Sequence, residues 1–330
     1  MTQSRPKKQH FVPRFYLENF AISDSSKKIW TYDTQWNRLY GRVARETAVE
    51  TNFYSFKDED GQYRDDIEIW LSHVEGKAAG LYSKVLAGEI LNGQERADFA
   101  MFLATLYARS PSILRVLGET LGAEVESMMN FITADRKRFD DSVNQYISQT
   151  GKMMSEEIKD RIFNGLRDKS KYALVVNRNA MLQAAIEASE RLARIFFQMG
   201  WVTTKSKGPG LITGDSPVVQ HTAPGKFHPV FGGGGFLRLE NFVSVPLSPQ
   251  HCLELYWDKD YDSGVMSLTA DRVRDLNRER AIFSDRFLFS SIKDDGIRNL
   301  GQKYKDEGLK VVVSGPGRIA PIKVKGRMGR

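Results

Sequence analysis

Gln9-His10-Phe11-Val12-Pro13-Arg14-Phe15-Tyr16-Leu17-Glu18-Asn19-Phe20 is the stretch around which this 330-residue chain is organised. It sets a carboxamide and an imidazole side by side, directly before a proline-started amphipathic turn. Proline suits a first helical position, where the N–H it lacks would have no intrahelical partner. From there Tyr16, Leu17 and Phe20 recur at helical spacing and predict one buried face. His10 then stands at the lip of a fixed element, where a working histidine belongs.

The rest of the chain can supply a large core, since 41% of it is hydrophobic, and its length allows one big domain or two ordinary ones. The lone Cys252 excludes an internal disulfide framework and a multi-cysteine zinc site, and it points to a reducing, cytoplasmic setting. No apolar run is long enough to span a bilayer, and the polar, basic start has no signal-peptide pattern behind it, so no membrane partner is expected. The net charge of +7 gathers at the ends: Arg5, Lys7, Lys8 and Arg14 at one, Lys323, Lys325, Arg327 and Arg330 at the other. Basic ends suit a phosphate-bearing ligand or nucleic acid, and they serve equally as solvated tails.

Residues 28–33 alternate and are rich in aromatic and β-branched side chains, and with 36–42 they predict a β-hairpin. Residues 50–56 form a further extended piece before a polar loop at 57–61. A long helix begins near Asp65-Asp66 and buries Ile67, Leu71, Val74, Ala78, Leu81 and Val85. Glu75 borders that stripe, able to bend into a cleft or to lie over the surface. Gly93 breaks the pattern, and a second helix runs to Arg109. Ser110-Pro111 then starts a third helix, with Ser as N-cap. Arg109 at this junction either holds an anion or neutralises a helix C-terminus.

Residues 112–169 read as charged helix interrupted near 150–151, and 173–199 as a helix with an apolar side. Beyond it the texture changes to strands at 201–204, with 211–213 as partner, then 241–249 and 252–256. A helix at 269–283 leads to strands at 286–290 and 310–313. The expected fold is α+β: a single domain over 1–330, with a mixed sheet from N- and C-terminal strands, a central helical region at about 65–199 and a basic tail at about 319–330.

The opening motif Gln9-His10-x-Val12-Pro13-x-x-Tyr16-Leu17-x-x-Phe20 resembles that of a largely bacterial family of uncharacterised proteins, domain of unknown function 4238. Further pieces are similar in order: Asn52-Phe53-Tyr54-Ser55, Glu75, Arg109-Ser110-Pro111, Thr213-Gly214-Asp215-Ser216-Pro217-Val218, Pro246-Leu247-Ser248-Pro249 and Asn277. At the fourth of these the family usually has Ser-Asp-Asn-Pro, so Gly214 and Ser216 depart from it. The resemblance covers nearly the whole chain. It implies one fold with a shared site, without naming a reaction.

On their own chemistry, His10 is the candidate acid/base, because imidazole titrates near neutral pH. Gln9 is a candidate for orienting substrate or water, although both residues could instead satisfy backbone groups where the helix begins. Asp215 is a candidate partner and equally an Asx-turn former; Glu75 joins the catalytic set, and Arg109 and Ser216 the substrate-binding set. The remaining histidines have no metal-ligand spacing, so no metal is expected, and the cofactor question stays open. There is no nucleotide P-loop and no G-x-S-x-G elbow, and the glycines at 232–235 open no helix. Two functions follow: a hydrolase acting on a phosphate-bearing substrate or nucleic acid, or a non-catalytic binding protein of a bacterial defence or stress system. His10, Glu75, Arg109 and Asp215 are expected to line one site.

Overall fold

The computed structural model describes residues 8–22, 26–57, 62–208, 210–222, 235–258, 260 and 264–308. The loop at 58–61, His228, the glycines at 232–234, the strand expected at 310–313 and the basic residues of both ends other than Lys8 and Arg14 lie outside the described residues. The chain forms two compact units. Among the described residues, one joins those up to Arg115 with 182–308, and the other spans Val116–Met181.

The first unit opens with β1 (Lys8–His10), α1 (Arg14–Glu18) and the hairpin β2 (Lys28–Asp33) and β3 (Arg38–Val43). The short strands β4 (Val49–Thr51), β5 (Phe56–Lys57) and β6 (Tyr63–Arg64) precede α2 (Asp66–Leu86) and α3 (Gly93–Ala108). Then come α4 (Pro111–Thr133), α5 (Arg136–Thr150), α6 (Glu156–Arg167) and α7 (Arg178–Gln198). The strands β7 (Gly200–Ser206), β8 (Thr213–Gly214), β9 (Val219–His221), β10 (Phe242–Pro246), β11 (His251–Tyr256) and β12 (Val265–Leu268) follow. The described chain closes with α8 (Ala270–Phe283), β13 (Phe287–Ser290) and α9 (Asp295–Tyr304).

The fold is α+β. One sheet has the order β12-β7-β11-β10-β9 and is mixed, because β12 runs parallel to β7 while the other pairs are antiparallel. The second has the order β3-β2-β13-β8 and joins the two ends of the sequence: Phe287 to Ser290 pair with Asp33 to Trp30. The opening motif fastens these parts together. Val12, Tyr16, Leu17 and Phe20 are fully buried, and the Tyr16 hydroxyl donates to the Pro246 carbonyl at 2.6 Å while sharing a 2.8 Å hydrogen bond with Thr213 Oγ1. A buried phenol needs such partners, since an unpaired hydroxyl there would carry its full desolvation cost.

Several local expectations shift. Pro13 is the N-cap of α1, not its first residue, because its ψ of 138° is extended. Residues 211–213 do not pair with β7; Thr213 and Gly214 pair with β13 instead. The Asn277 carboxamide holds that segment away, accepting from Ile212 N and donating to Gly210 O, both at 3.0 Å. In α2, Ile67 and Leu81 are only half-buried, and Tyr82 joins the buried stripe, its hydroxyl donating to Leu247 O at 2.8 Å. The last long helix begins at Arg178, not near 173. In the second unit, Phe139, Val143 and Phe163 form the core between α5 and α6, and Arg136 bridges Asp140 and Asp160 beside it. Among the described residues no helix is long and apolar enough to cross a membrane.

Candidate functional site

The site begins at β1, which pairs antiparallel with β4 so that Gln9 opposes Glu50 and His10 opposes Val49. The two-residue alternation of a strand turns Gln9 inward and fully buries it. Its carboxamide is used at both ends: Oε1 accepts from Tyr54 N at 2.7 Å, and Nε2 donates to Ser55 Oγ at 2.7 Å. Ser55 Oγ in turn donates to Asp65, the residue that caps α2, at 2.5 Å. Gln9 therefore ties the opening strand to the loop before β5 and to the start of α2.

His10 is placed differently. Its backbone carbonyl accepts from the Tyr54 hydroxyl at 3.2 Å, and its ring is hydrogen-bonded to the backbone of Arg45. The ring Nε2 is buried with no partner. With Nδ1 as the nitrogen engaged by the backbone, Nε2 carries the free lone pair of a neutral imidazole. Burial holds the ring below its ordinary value; Glu75 opposes this, while Arg14 and Arg109 add to it.

Helix α2 supplies two carboxylates on one face. Glu68 and Glu75 stand seven residues apart, with buried Leu71 between them. Glu75 Oε1 lies 2.7 Å from Nη1 of Arg109, which caps the C-terminus of α3 and is only 4% exposed. The guanidinium is thus engaged by Glu75 in a close ion pair, while its Nε and Nη2 have no aligned acceptor. The guanidinium also lies 6.0 Å from the centre of the Tyr54 ring. Glu68 was not singled out from the sequence. Burial, then Glu75, push its carboxyl up to about 7, with Asp65 adding and Arg109 opposing.

Glu75, Arg109, Glu68 and Tyr54 thus lie close together, and His10 feels the charges of Glu75 and Arg109. Asp215 and Ser216 are engaged elsewhere. The Asp215 carboxylate, 1% exposed, accepts three backbone N–H bonds: from Asp285 at 2.8 Å on Oδ1, and from Arg286 at 2.7 Å and Phe287 at 2.8 Å on Oδ2. Burial pushes it up to about 7 against these three donors. Its influence on the cluster runs through packing, since Phe287 stacks on Phe11, the neighbour of His10. Ser216 shares a 2.7 Å hydrogen bond with Ser112 at the start of α4. Gly214 has a steric reason: a Cβ there would meet Ser284 Oγ at 2.0 Å.

Beside Arg109 lies a narrow cleft bounded by α2, α3 and α7. Ile67, Trp70, Leu71, Ala108, Leu182 and Ile186 form its apolar walls. About 10 Å³ of it is free, room for one water. Among the described residues no three His, Cys, Asp or Glu side chains converge to hold a metal.

The geometry defines an α+β protein in which a buried arginine is paired with the partly exposed Glu75, with the half-buried His10 within reach of both charges. Residues 8–294 match the family described as protein of unknown function (DUF4238), and the chain belongs to that family. No curated protein matches it, and no solved structure does.

Proposed function

We propose that the protein is an enzyme of the hydrolase type, with His10 as general base and Glu68 as general acid. The observation that carries this reading is the buried, unpartnered Nε2 of His10 within the field of the Glu75–Arg109 ion pair. In the proposed step Nε2 takes a proton from water as the hydroxide attacks the electrophilic centre. Protonated Glu68 gives its proton to the leaving group as that bond breaks, and Arg109 steadies the charge on the attacked oxygen. Water is consumed, and the two products share its atoms. Glu75 holds Arg109, and Gln9 and Asp215 position the elements around the cluster.

A phosphate-bearing substrate suits the basic ends of the sequence better than it suits this cluster, where two carboxylates accompany one buried cation. The second reading, a non-catalytic binding protein, is favoured by one feature: Gln9 and Asp215 spend their polar atoms on the protein's own backbone and on Ser55. The buried, unpaired Cys252 accords with a cytoplasmic setting. Purified wild-type protein and His10→Ala are to be assayed against chromogenic carboxyl esters, amides, phosphomonoesters and phosphodiesters. Turnover by the wild type, lost in a folded His10→Ala, supports the enzyme. Equal rates in both, or no turnover of any substrate class by the wild type, overturns it.

A further inference from the structure

We propose that the cleft between α2, α3 and α7 binds a monocarboxylate with a short apolar body, its carboxylate held by Arg109. This rests on reading the cluster as a ligand site. The walls are mostly apolar, the Thr105 and Ser189 hydroxyls that join them donate to backbone carbonyls of their own helices, and among the described residues that line the cleft Arg109 is the one charged group. That guanidinium is 4% exposed, and beyond the one contact of Nη1 with Glu75 its Nε and Nη2 have no aligned acceptor. Its planar fork matches the two oxygens of a carboxylate, a geometry that lysine cannot reproduce.

Charge then decides between anions. Glu75 already balances Arg109 at 2.7 Å, so a phosphate dianion would bring two further negative charges to a cleft whose described lining holds no second cation. A monocarboxylate brings one, and Glu68 can offset it by taking up a proton. The groups that act on Glu68 are Glu75 on its own helix, Asp65 at the helix start and Arg109 from α3; Tyr54 lies in the same cluster. Arg109 is the sole cation in that set. Because the free space holds about one water, the partly exposed Trp70 has to give way when a ligand enters. Its fluorescence then reports binding.

The test is titration of the intact protein with butyrate, followed by tryptophan emission and calorimetry at pH 6 and pH 8, with butanol and inorganic phosphate in parallel. The expected result is saturable butyrate binding, about tenfold tighter at pH 6 than at pH 8, as coupling to one proton near pH 7 requires. Butanol and phosphate are each expected to bind at least about tenfold more weakly, a difference within reach of one charge-assisted contact. Arg109→Lys should weaken butyrate by at least about tenfold, and Glu68→Gln should remove the pH effect. In case Arg109→Lys fails to fold, Ala185→Leu fills the cleft without touching the arginine and should abolish binding. Absence of saturable butyrate binding, phosphate binding more tightly than butyrate, or unchanged butyrate affinity in a folded Arg109→Lys or in Ala185→Leu overturns the proposal. The two readings fail separately. No butyrate binding, with turnover still lost in His10→Ala, removes this inference alone. Butyrate binding as expected, with no turnover in the wild type, removes the catalytic reading alone.

Discussion

Replacing Asp215 by alanine separates a structural carboxylate from a catalytic one. In the fold its two oxygens accept the N–H groups of Asp285, Arg286 and Phe287 at 2.7–2.8 Å. Alanine leaves all three donors without that partner. Each buried unsatisfied donor costs about 1–3 kcal/mol, with the low end applying to Asp285, whose exposed position lets water reach its N–H. The sum is about 3–7 kcal/mol, a large share of the roughly 5–15 kcal/mol that stabilises a typical protein. At about 2–4 °C per kcal/mol for a unit of this size, the melting temperature should fall by roughly 10 °C. Asp215→Asn should cost about a third as much or less, because a carbonyl in the Oδ2 position keeps the Arg286 and Phe287 bonds and forfeits only the weakest of the three. The assay is thermal and urea denaturation followed by circular dichroism, with any enzymatic rate normalised to the folded fraction. A melting temperature for Asp215→Ala within about 2 °C of the wild type would refute the structural account and return the carboxylate to the acid/base set.

Gln9→Ala should destabilise by about 2–3 kcal/mol in urea denaturation, since it strips the partners of Tyr54 N and Ser55. Glu68, whose folded carboxyl is raised to about 7, contributes stability that is present below its unfolded value near 4 and is lost as pH rises through 7. Glu68→Gln should therefore flatten the stability profile and raise stability at pH 8 by about 1–2 kcal/mol after solvent screening, read from denaturant midpoints at pH 5 and 8. If the proposed reaction is found, its rate should be bell-shaped in pH. The acid limb would lie below the ordinary imidazole value, where burial places His10, and the alkaline limb near 7 from Glu68; a rate that still rises through pH 8 would contradict the assignment. Gly214→Ser should cost about 1–3 kcal/mol by crowding Ser284 Oγ, and the added change Ser284→Gly should restore most of it on the same denaturation curves.

What the sequence revealed and what it hid follow from the range of the interactions. The α2 stripe, the hairpin and the helix start at Pro111 rest on local spacing and proline geometry, and they stand in the structure close to their expected places, although the Ser110 hydroxyl donates back to Tyr107 O at 2.8 Å. The pairing of β8 with β13 rests on Asn277, whose side chain reaches back across the chain to Ile212 and Gly210, and no local pattern at 211–213 announces it. Glu68 escaped notice because an isolated glutamate near a helix start reads as an ordinary favourable charge at the positive end of the dipole. The available signal was its position two turns before Glu75 on the same face. Tyr54 escaped because it reads as one aromatic residue in an extended piece. Its role depends on the reversals at Ala48 and Asn52, non-glycine residues with φ of 54° and 56° that composition does not reveal.

The polar residues of the opening motif and its companions fall into two sets by what their side chains do. Gln9, Tyr16, Asp215 and Asn277 bond chiefly to backbone groups far away in sequence, so each closes a long loop and fixes where two elements meet. His10, Glu68 and Arg109 hold polar atoms or a shifted proton affinity that the fold does not consume. A buried donor without an aligned acceptor destabilises a fold, so a purely structural role would favour replacing Arg109 with an apolar side chain of similar size. For Gln9 or Asp215 the same replacement would cost stability directly. The sign of the stability change on apolar replacement therefore separates the sets without knowledge of any substrate. Arg109→Met paired with Glu75→Gln removes both charges at once and should leave the melting temperature level or higher, whereas Asp215→Ala lowers it. A marked loss of stability in that double variant would place Arg109 among the locks and leave His10 without its neighbouring ion pair as a functional partner.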